Sequence, residues 1–336
     1  MDNTNTLVFA GQLRRQYLLP PEGRPLLDAP GGNLLYAASG ARLWNDKVSL
    51  LARVGENYPH EWLKLFQQKG MDSTGIKIVP SDLDVRSFMA YSNAENYQGT
   101  NPVSHFVRLG VPFPKGLLGY QPPQSEQDNR AQANPDSPKL SDIPTEYYMA
   151  KAVHLAPLDI VAHSQFAPAF RHKGVGIVTI DPGPRYMNAS FLNDLRSLLQ
   201  GVTAFLPSEE EIRSLFWGRT HDLWQMAETL ASFGCEVIVI KRGGRGQYVY
   251  ERSTGKKWDI PGYPSRLVDP TGSGDSFCGG FLSGYAATLD PLQAAMRGNI
   301  SASFSIEGSG AFYLLDSMPG LAEARLASLA GLVRQA

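Results

Sequence analysis

Short runs rich in valine, isoleucine and leucine recur along the chain at 7–10, 48–54, 152–156, 175–180, 202–206 and 237–240. Between them lie stretches whose apolar residues repeat at roughly i, i+3, i+4, which predicts helices over 34–44, 60–69, 191–199, 209–216, 223–233, 274–287 and 292–306. Uninterrupted apolar strands alternating with amphipathic helices predict an α/β fold whose central, mostly parallel sheet is covered on both faces. Two segments break the pattern. Residues 86–107 alternate and are rich in β-formers and small polar residues, which predicts antiparallel strands rather than a crossover unit. Residues 120–144 are rich in Gln, Pro, Asn, Asp and Ser and nearly devoid of large apolar side chains, so a mobile surface loop is expected there, an insertion without a function of its own. No internal repeat is evident.

Composition narrows the class. With 336 residues, 43% of them hydrophobic, the chain can bury a full core as one large domain, with or without a small appendage. A net charge of -1 with interspersed signs offers no basic field for nucleic acid and no polybasic membrane anchor, which leaves a small molecule as the expected partner. Cys235 and Cys278 are too few for a disulfide framework and lack the C-x-x-C spacing of a zinc site, so both read as reduced packing residues. The short polar start at 1–6 and the lack of a long apolar run lead us to expect a cytoplasmic protein, in which the sequons at Asn188 and Asn299 carry no glycan. No G-x-x-x-x-G-K-[ST] loop is present, and His60-Glu61-Trp62-Leu63-Lys64 has lysine where a zincin helix needs its second histidine.

The chemistry concentrates in Asp269-Pro270-Thr271-Gly272-Ser273-Gly274-Asp275-Ser276-Phe277-Cys278-Gly279-Gly280-Phe281. Two glycines flanking a serine let backbone approach a ligand closely, and the free N–H groups of the helix that begins there point toward negative charge. Asp275 sits on the first turn, where an ionised carboxylate can accept the proton of an attacking hydroxyl. A plain Asp-capped helix after a glycine turn is the structural alternative.

At these residues the chain resembles the PfkB carbohydrate kinases, the ribokinase-like family with this G-x-G-D core. The resemblance implies a three-layer sandwich over 1–336, with small β lid strands from 12–30 and 86–108 covering the substrate. It implies Asp275 as the base and Gly272, Ser273 and Gly274 as the anion hole, with Pro270 standing where members often carry a hydroxyl residue. ATP and Mg2+ follow as cofactors, together with a monovalent cation such as K+ near Asp269. For the nucleotide, the resemblance implies Thr271, the glycines Gly243 and Gly246 of the Lys241-Arg242-Gly243-Gly244-Arg245-Gly246 turn, Lys241 as a phosphate contact, Asn299 near the adenine, and Gly310 of the following Gly-Ala pair. Lys241 also reads as a solvated charge at a strand end. Glu211 matches the glutamate of an Asn-x-x-Glu element that helps to position magnesium; Ser208 replaces its asparagine and doubles as a helix N-cap. Arg53-Val54-Gly55-Glu56-Asn57 and 70–76 extend the likeness through the N-terminal half.

The acceptor side departs from the family. Gly31, Gly32 and Asn33 supply the Gly-Gly turn and its neighbour, but Gln16 stands where many members carry an aspartate, and Leu35 stands near the place of a usual asparagine. These changes weaken the case for ribose, fructose or an ordinary nucleoside as the acceptor. Three readings follow: a kinase of a sugar or sugar-like alcohol, a nucleoside or vitamin-precursor kinase, and a kinase-fold binding protein that turns nothing over. Edge strands of such a lid invite pairing between two copies, so a homodimer is a further expectation.

Overall fold

The computed structural model describes residues 6–122 and 127–335, so part of the segment expected to be a loop and nearly all of the polar start lie outside the described residues. Its strands are β1 Leu7–Ala10, β2 Arg14–Leu19, β3 Leu26–Gly31, β4 Val48–Gly55, β5 Met71–Val79, β6 Arg86–Tyr91, β7 Tyr97–Gln98, β8 Ala152–Leu155, β9 Ile177–Ile180, β10 Ala204–Phe205, β11 Val237–Lys241, β12 Gln247–Glu251, β13 Lys257–Ile260 and β14 Arg334–Gln335. The helices are α1 Asn33–Arg42, α2 His60–Gln68, α3 Pro102–Leu109, α4 Ile160–His172, α5 Leu192–Leu198, α6 Glu209–Leu215, α7 Leu223–Ser232, α8 Ser273–Thr288, α9 Pro291–Ser305 and α10 Leu321–Ala330.

The large sheet runs β14-β13-β12-β11-β10-β9-β8-β1-β4-β5, parallel from β11 to β5 and antiparallel at the β12–β14 end. Alternate side chains of β1 enter different cores, as a two-residue period requires. Val8 and Ala10 join Phe166, Phe170, Leu195, Ile212 and Leu230 under α4–α7, whereas Leu7 and Phe9 join Leu34, Leu35, Phe66 and Leu282 under α1, α2 and α8. Two covered faces explain why the strands read as continuous apolar runs. From β1 the chain builds outward through β4 and β5, then returns to place β8 on the other side of β1. Ligands of open α/β sheets bind beyond the carboxyl ends of the strands at such a reversal.

A four-stranded sheet, β3-β2-β6-β7, stands beside this crevice. Its hairpins β2–β3 and β6–β7 are antiparallel, but β2 and β6 pair in parallel. Its faces differ. Tyr17, Leu19, Phe88 and Ala90 meet Phe106, Leu117 and Tyr120 on the outer side, which leaves Gln16, Ser87, Met89 and Tyr91 on the inner side by the same alternation.

The expectation of strands through 86–107 fails after Gln98. Asn101 turns into the left-handed region at φ 48°, Pro102 starts a helix with its ring-fixed φ, and α3 buries Phe106 against the sheet. The segment expected as a mobile loop is docked by polar groups over its described part. Asp128 accepts from Ile160 N at 2.9 Å and pairs with Arg185 at 3.0 Å. Ser137 Oγ donates to Asp159 at 2.6 Å, and Asp136 pairs with Arg14 at 2.7 Å. Apolar anchors hold its two ends, Tyr120 in the outer lid cluster and Ile143 in the core under α4–α7, and the polar contacts dock the stretch between.

Candidate active site

Asp269 begins the loop that leads into α8. Its Oδ1 accepts from Thr271 N at 2.9 Å, an Asx turn that folds the chain back. Its Oδ2 is buried and has no partner. Gly272 follows at φ 71°, the left-handed region, and a Cβ there would collide with the Tyr36 ring, so glycine is required twice over. The helix then starts at Ser273 with no side chain capping its first amides; Ser273 N–H bends back to Pro270 O at 3.2 Å, and the N–H groups beside it stand at a positive helix end suited to an anion.

Around this end the large sheet delivers charged groups from three neighbouring strands. Asp181 follows β9, Ser208 and Glu211 follow β10, and Lys241 ends β11. Lys241 Nζ pairs with Asp181 Oδ2 at 2.6 Å and lies 3.6 Å from Cys278 Sγ, whose thiol donates to the same carboxylate oxygen at 3.3 Å. Burial opposes the lysine's charge, but Asp181, Cys278 and Glu211 together raise its pKa, so it remains an ammonium. The Nζ also lies 3.6 Å from where a Gly274 Cβ would stand, immediately under the anion cradle. Glu211 is turned away from the crevice: its Oε2 accepts from Ser208 N at 2.7 Å and Ser208 Oγ at 2.8 Å, a capping box. Burial and then Asp181 raise its pKa.

Asp275 shares this enclosure. Desolvation, then Asp181, push its pKa up; Lys241 opposes them and Glu211 adds to them, and the carboxyl stands at about 7. A carboxylate poised there takes up and releases a proton near neutral pH.

On the acceptor side Gly32, at φ 99°, sits where any Cβ would strike the Gln12 carbonyl. Asn33 opens α1 and bridges two strand ends, its Oδ1 accepting from Gln12 N at 2.8 Å and its Nδ2 donating to Pro157 O at 2.7 Å. Gln16 is buried, packs over Gly31 and accepts a hydrogen bond from Tyr36 OH at 3.1 Å. Leu35, expected near the site, lies in the core instead, and the helix turns Tyr36 inward toward Asp269 and Asp275. Gln12, Arg14 and Asp136 close one edge, with Gln12 Nε2 donating to Asp136 at 3.0 Å and Arg14 donating to Gln12 at 2.7 Å.

The remaining expected nucleotide residues are more dispersed. Gly243 and Gly246 form the turn between β11 and β12. Asn299 is already engaged, donating to Gln247 and Pro261 at 3.0 and 2.8 Å and accepting from Tyr263 N at 3.0 Å, so it fixes the chain after β13. Gly310 packs beside Leu26 of β3. Among the described residues no group of three His, Cys, Asp or Glu side chains is arranged to hold a metal ion, and no helix is long and apolar enough to cross a membrane.

Sequence reasoning missed Asp181, Tyr36 and Tyr91. Asp181 did leave a signal: it is an acidic residue immediately after a buried parallel strand, where sites of this architecture form. The two tyrosines left none, because their roles depend on which way a helix and a lid strand face.

Comparison with known proteins agrees with this geometry. Residues 125–317 match the family described as pfkB family carbohydrate kinase. A cytidine kinase of Thermococcus kodakarensis is 31% identical over 293 residues, 87% of this chain and 92% of its own. A ribokinase II candidate from E. coli, solved with ATP and magnesium, superposes with a TM-score of 0.71 at 15% identity, covering 96% of this chain and 99% of that one. A Vibrio cholerae fructokinase double mutant, solved with fructose, ADP and potassium ion, gives 0.64 at 18% identity, covering 98% and 99%. With the family matched over more than half its length and a relative above 30% identity along most of it, the chain belongs to the pfkB family of carbohydrate kinases.

Proposed function

We propose that this protein is an ATP-dependent kinase that transfers the γ-phosphoryl group to a hydroxyl of a sugar or nucleoside, with Asp275 as the general base. The observation that carries the reading is the position of Asp275, a carboxyl of pKa about 7 on the first turn of a helix whose leading amides are uncapped. In this reading Asp275 takes the hydroxyl proton, the amides of Gly272, Ser273 and Gly274 receive the transferring group, Ser273 N–H by releasing its 3.2 Å bond to Pro270 O, and Lys241 adds positive charge beneath them. Positioning and electrostatics then supply most of the acceleration.

The residues fit the expected cofactors. Gly272 can carry no Cβ beside the Tyr36 ring, and Gly274 presents bare backbone beside Lys241 Nζ, space and charge that suit a polyphosphate. Magnesium commonly binds through substrate phosphates and one or two carboxylates, so the lack of an all-protein cluster is compatible with it. Asp181 and Asp275 are the carboxylates facing the cradle, Glu211 lies behind them, and a bound magnesium would neutralise phosphate charge there. The unpartnered Asp269 Oδ2 suits a small monovalent cation such as potassium. Thr271, Gly243, Gly246, Asn299 and Gly310 belong to the same proposal as the nucleotide side; Gln16, Gly31, Gly32 and Asn33 belong to the acceptor side. Asn299 serves there through the loop it holds.

A nucleoside acceptor has support of its own. The Thermococcus relative is a cytidine kinase, and the lid brings the rings of Tyr91 and Tyr97 together at 5.4 Å, tilted by 46°, aromatic surface on which a base can rest. The same reading places the protein in the cytoplasm and makes the exposed β7 the edge through which two copies would pair. The test is ADP release from magnesium-ATP with pooled sugars, polyols and nucleosides, run beside Asp275→Asn. An acceptor-dependent signal that vanishes in the variant establishes the kinase. ATP binding with silence across the panel favours a protein that holds its ligand without turning it over.

A further inference from the structure

The inner face of the lid carries hydrogen-bonding capacity that the fold does not use. Ser87 is side by side with Gln16 in the parallel β2–β6 ladder, so the two share a face. Gln16 is occupied by Tyr36, but Ser87 Oγ is buried with no partner. A buried hydroxyl left unpaired is unfavourable, so its retention calls for an explanation. Four residues further along the same face, Tyr91 reaches across the crevice and accepts a hydrogen bond from Thr271 Oγ1 at 3.0 Å. The phenol's own proton has only the Met89 sulfur, at 3.9 Å, a weak acceptor. Burial pushes its pKa up to about 12, so it stays a donor at neutral pH.

Thr271 is therefore held from both sides, its N–H by Asp269 below and its hydroxyl by the lid above. The lid touches this loop a second time, through Glu22 N donating to Val268 O at 3.3 Å. Asp269 and Asp275 are the charged groups that Tyr91 faces across the gap. Two ligand oxygens between β6 and Asp275 would take one unused donor each, Ser87 Oγ and Tyr91 OH, without breaking the Thr271 bond.

We propose that Ser87 and Tyr91 bind oxygens of the phosphoryl acceptor, and that Tyr91 acts in addition as a positioning residue, coupling the acceptor to the anion loop through Thr271. This rests on the kinase reading and assigns the hydroxyl-gripping work, absent from a carboxylate on β2, to the neighbouring strand. The acceptor class is one with at least two neutral oxygens on one face, a ribosyl or hexosyl ring.

The experiment compares wild type with Ser87→Ala, Tyr91→Phe, Thr271→Val and the Tyr91→Phe/Thr271→Val pair, using cytidine, ribose and fructose as acceptors. Ser87→Ala should raise the acceptor KM roughly 3- to 10-fold, the range of one neutral hydrogen bond, and leave kcat within about 2-fold. Tyr91→Phe should raise the acceptor KM and also lower kcat, and the double variant should lose no more than the worse single one, the mark of a coupled pair. Unchanged acceptor KM in both lid variants, or strictly additive losses, overturns the assignment while leaving the kinase intact. If the wild type turns over none of the three, amide hydrogen exchange decides the assignment separately from the kinase reading. Slowing across 86–91 and 269–274 by one of these compounds, lost in Tyr91→Phe, upholds it; no slowing by any of them overturns it.

Discussion

On the phosphate side of the crevice geometry is held by backbone, and on the acceptor side it is held by side chains. The Asp269–Asp275 loop owes its shape to an Asx turn, a left-handed glycine and a helix start, all within seven consecutive residues. The acceptor side is assembled from Gln12, Arg14 and Gln16 near the start of the chain, Tyr36 on α1, Ser87 and Tyr91 on β6, and Asp136 from a polar segment. A backbone site tolerates almost no substitution and leaves a spaced motif. A side-chain site can be rebuilt one residue at a time, and here it has lost the expected aspartate without losing its hydrogen-bond order.

That contrast can be broken most sharply at Asp275. Asp275→Asn should lower kcat about 10²- to 10⁴-fold, with little change in the KM for ATP, measured by coupled ADP release. A loss near tenfold would move the base elsewhere. Gly272→Ala should come next: the new methyl meets the Tyr36 ring at a positive φ, costing about 1–3 kcal/mol of stability and displacing the cradle enough to lose about 100-fold in rate. Normal Tm and rate in that variant would show that the backbone is not what holds the phosphate side.

The pH dependence follows from the same carboxyl. A base with pKa about 7 gives a kcat/KM that rises about tenfold between pH 6 and pH 8 and then levels off. Stability runs the other way. The folded state keeps a proton on Asp275 that the unfolded chain loses near pH 3.8, so the burden on folding is absent below that value, grows as pH rises, and is complete above about 7. Asp275→Asn should therefore melt higher than wild type at pH 8, by roughly 2–6 °C, with the difference fading toward pH 4. The smallest effect belongs to Gln16→Asp. The shorter aspartate gives up the bond from Tyr36 OH and turns a carboxylate toward the acceptor, so preference among cytidine, ribose and fructose should shift by about tenfold or less, visible as a change in relative kcat/KM. An unchanged preference would place Gln16 outside the acceptor pocket.

Legibility in the sequence tracks the same division. Apolar strands buried on both faces were readable as runs, and α8 was readable because its start is a glycine motif. Pro168 lies inside α4, and that helix went unread, since a proline in an apolar stretch carries the signal of a break. β5 was hidden by Asp72, Ser73, Thr74 and Gly75, polar residues whose needs are met by Tyr147 and by turns of the chain rather than by solvent alone. The helix α3 was taken for a strand because Pro102 to Val107 suits either period. Asp275 and the glycine loop proposed as its cradle were legible from one contiguous run, whereas Tyr36, Asp181, Ser87, Tyr91 and Asp136 were not singled out. Their roles arise from partners far away in the chain, and no local spacing encodes such partners.

The helices that carry the two half-sites cross with almost nothing between them. Any side chain at Gly279 would strike the Ala37 carbonyl, and any at Gly40 would strike the backbone of Ser276, so α1 and α8 touch main chain to main chain. A seam of that kind has no adjustable filler, and the span from acceptor turn to anion cradle is in effect a fixed gauge. A change of acceptor is then most easily made in the walls around the gauge, and Gln16 on the lid strand β2 is a departure of that kind.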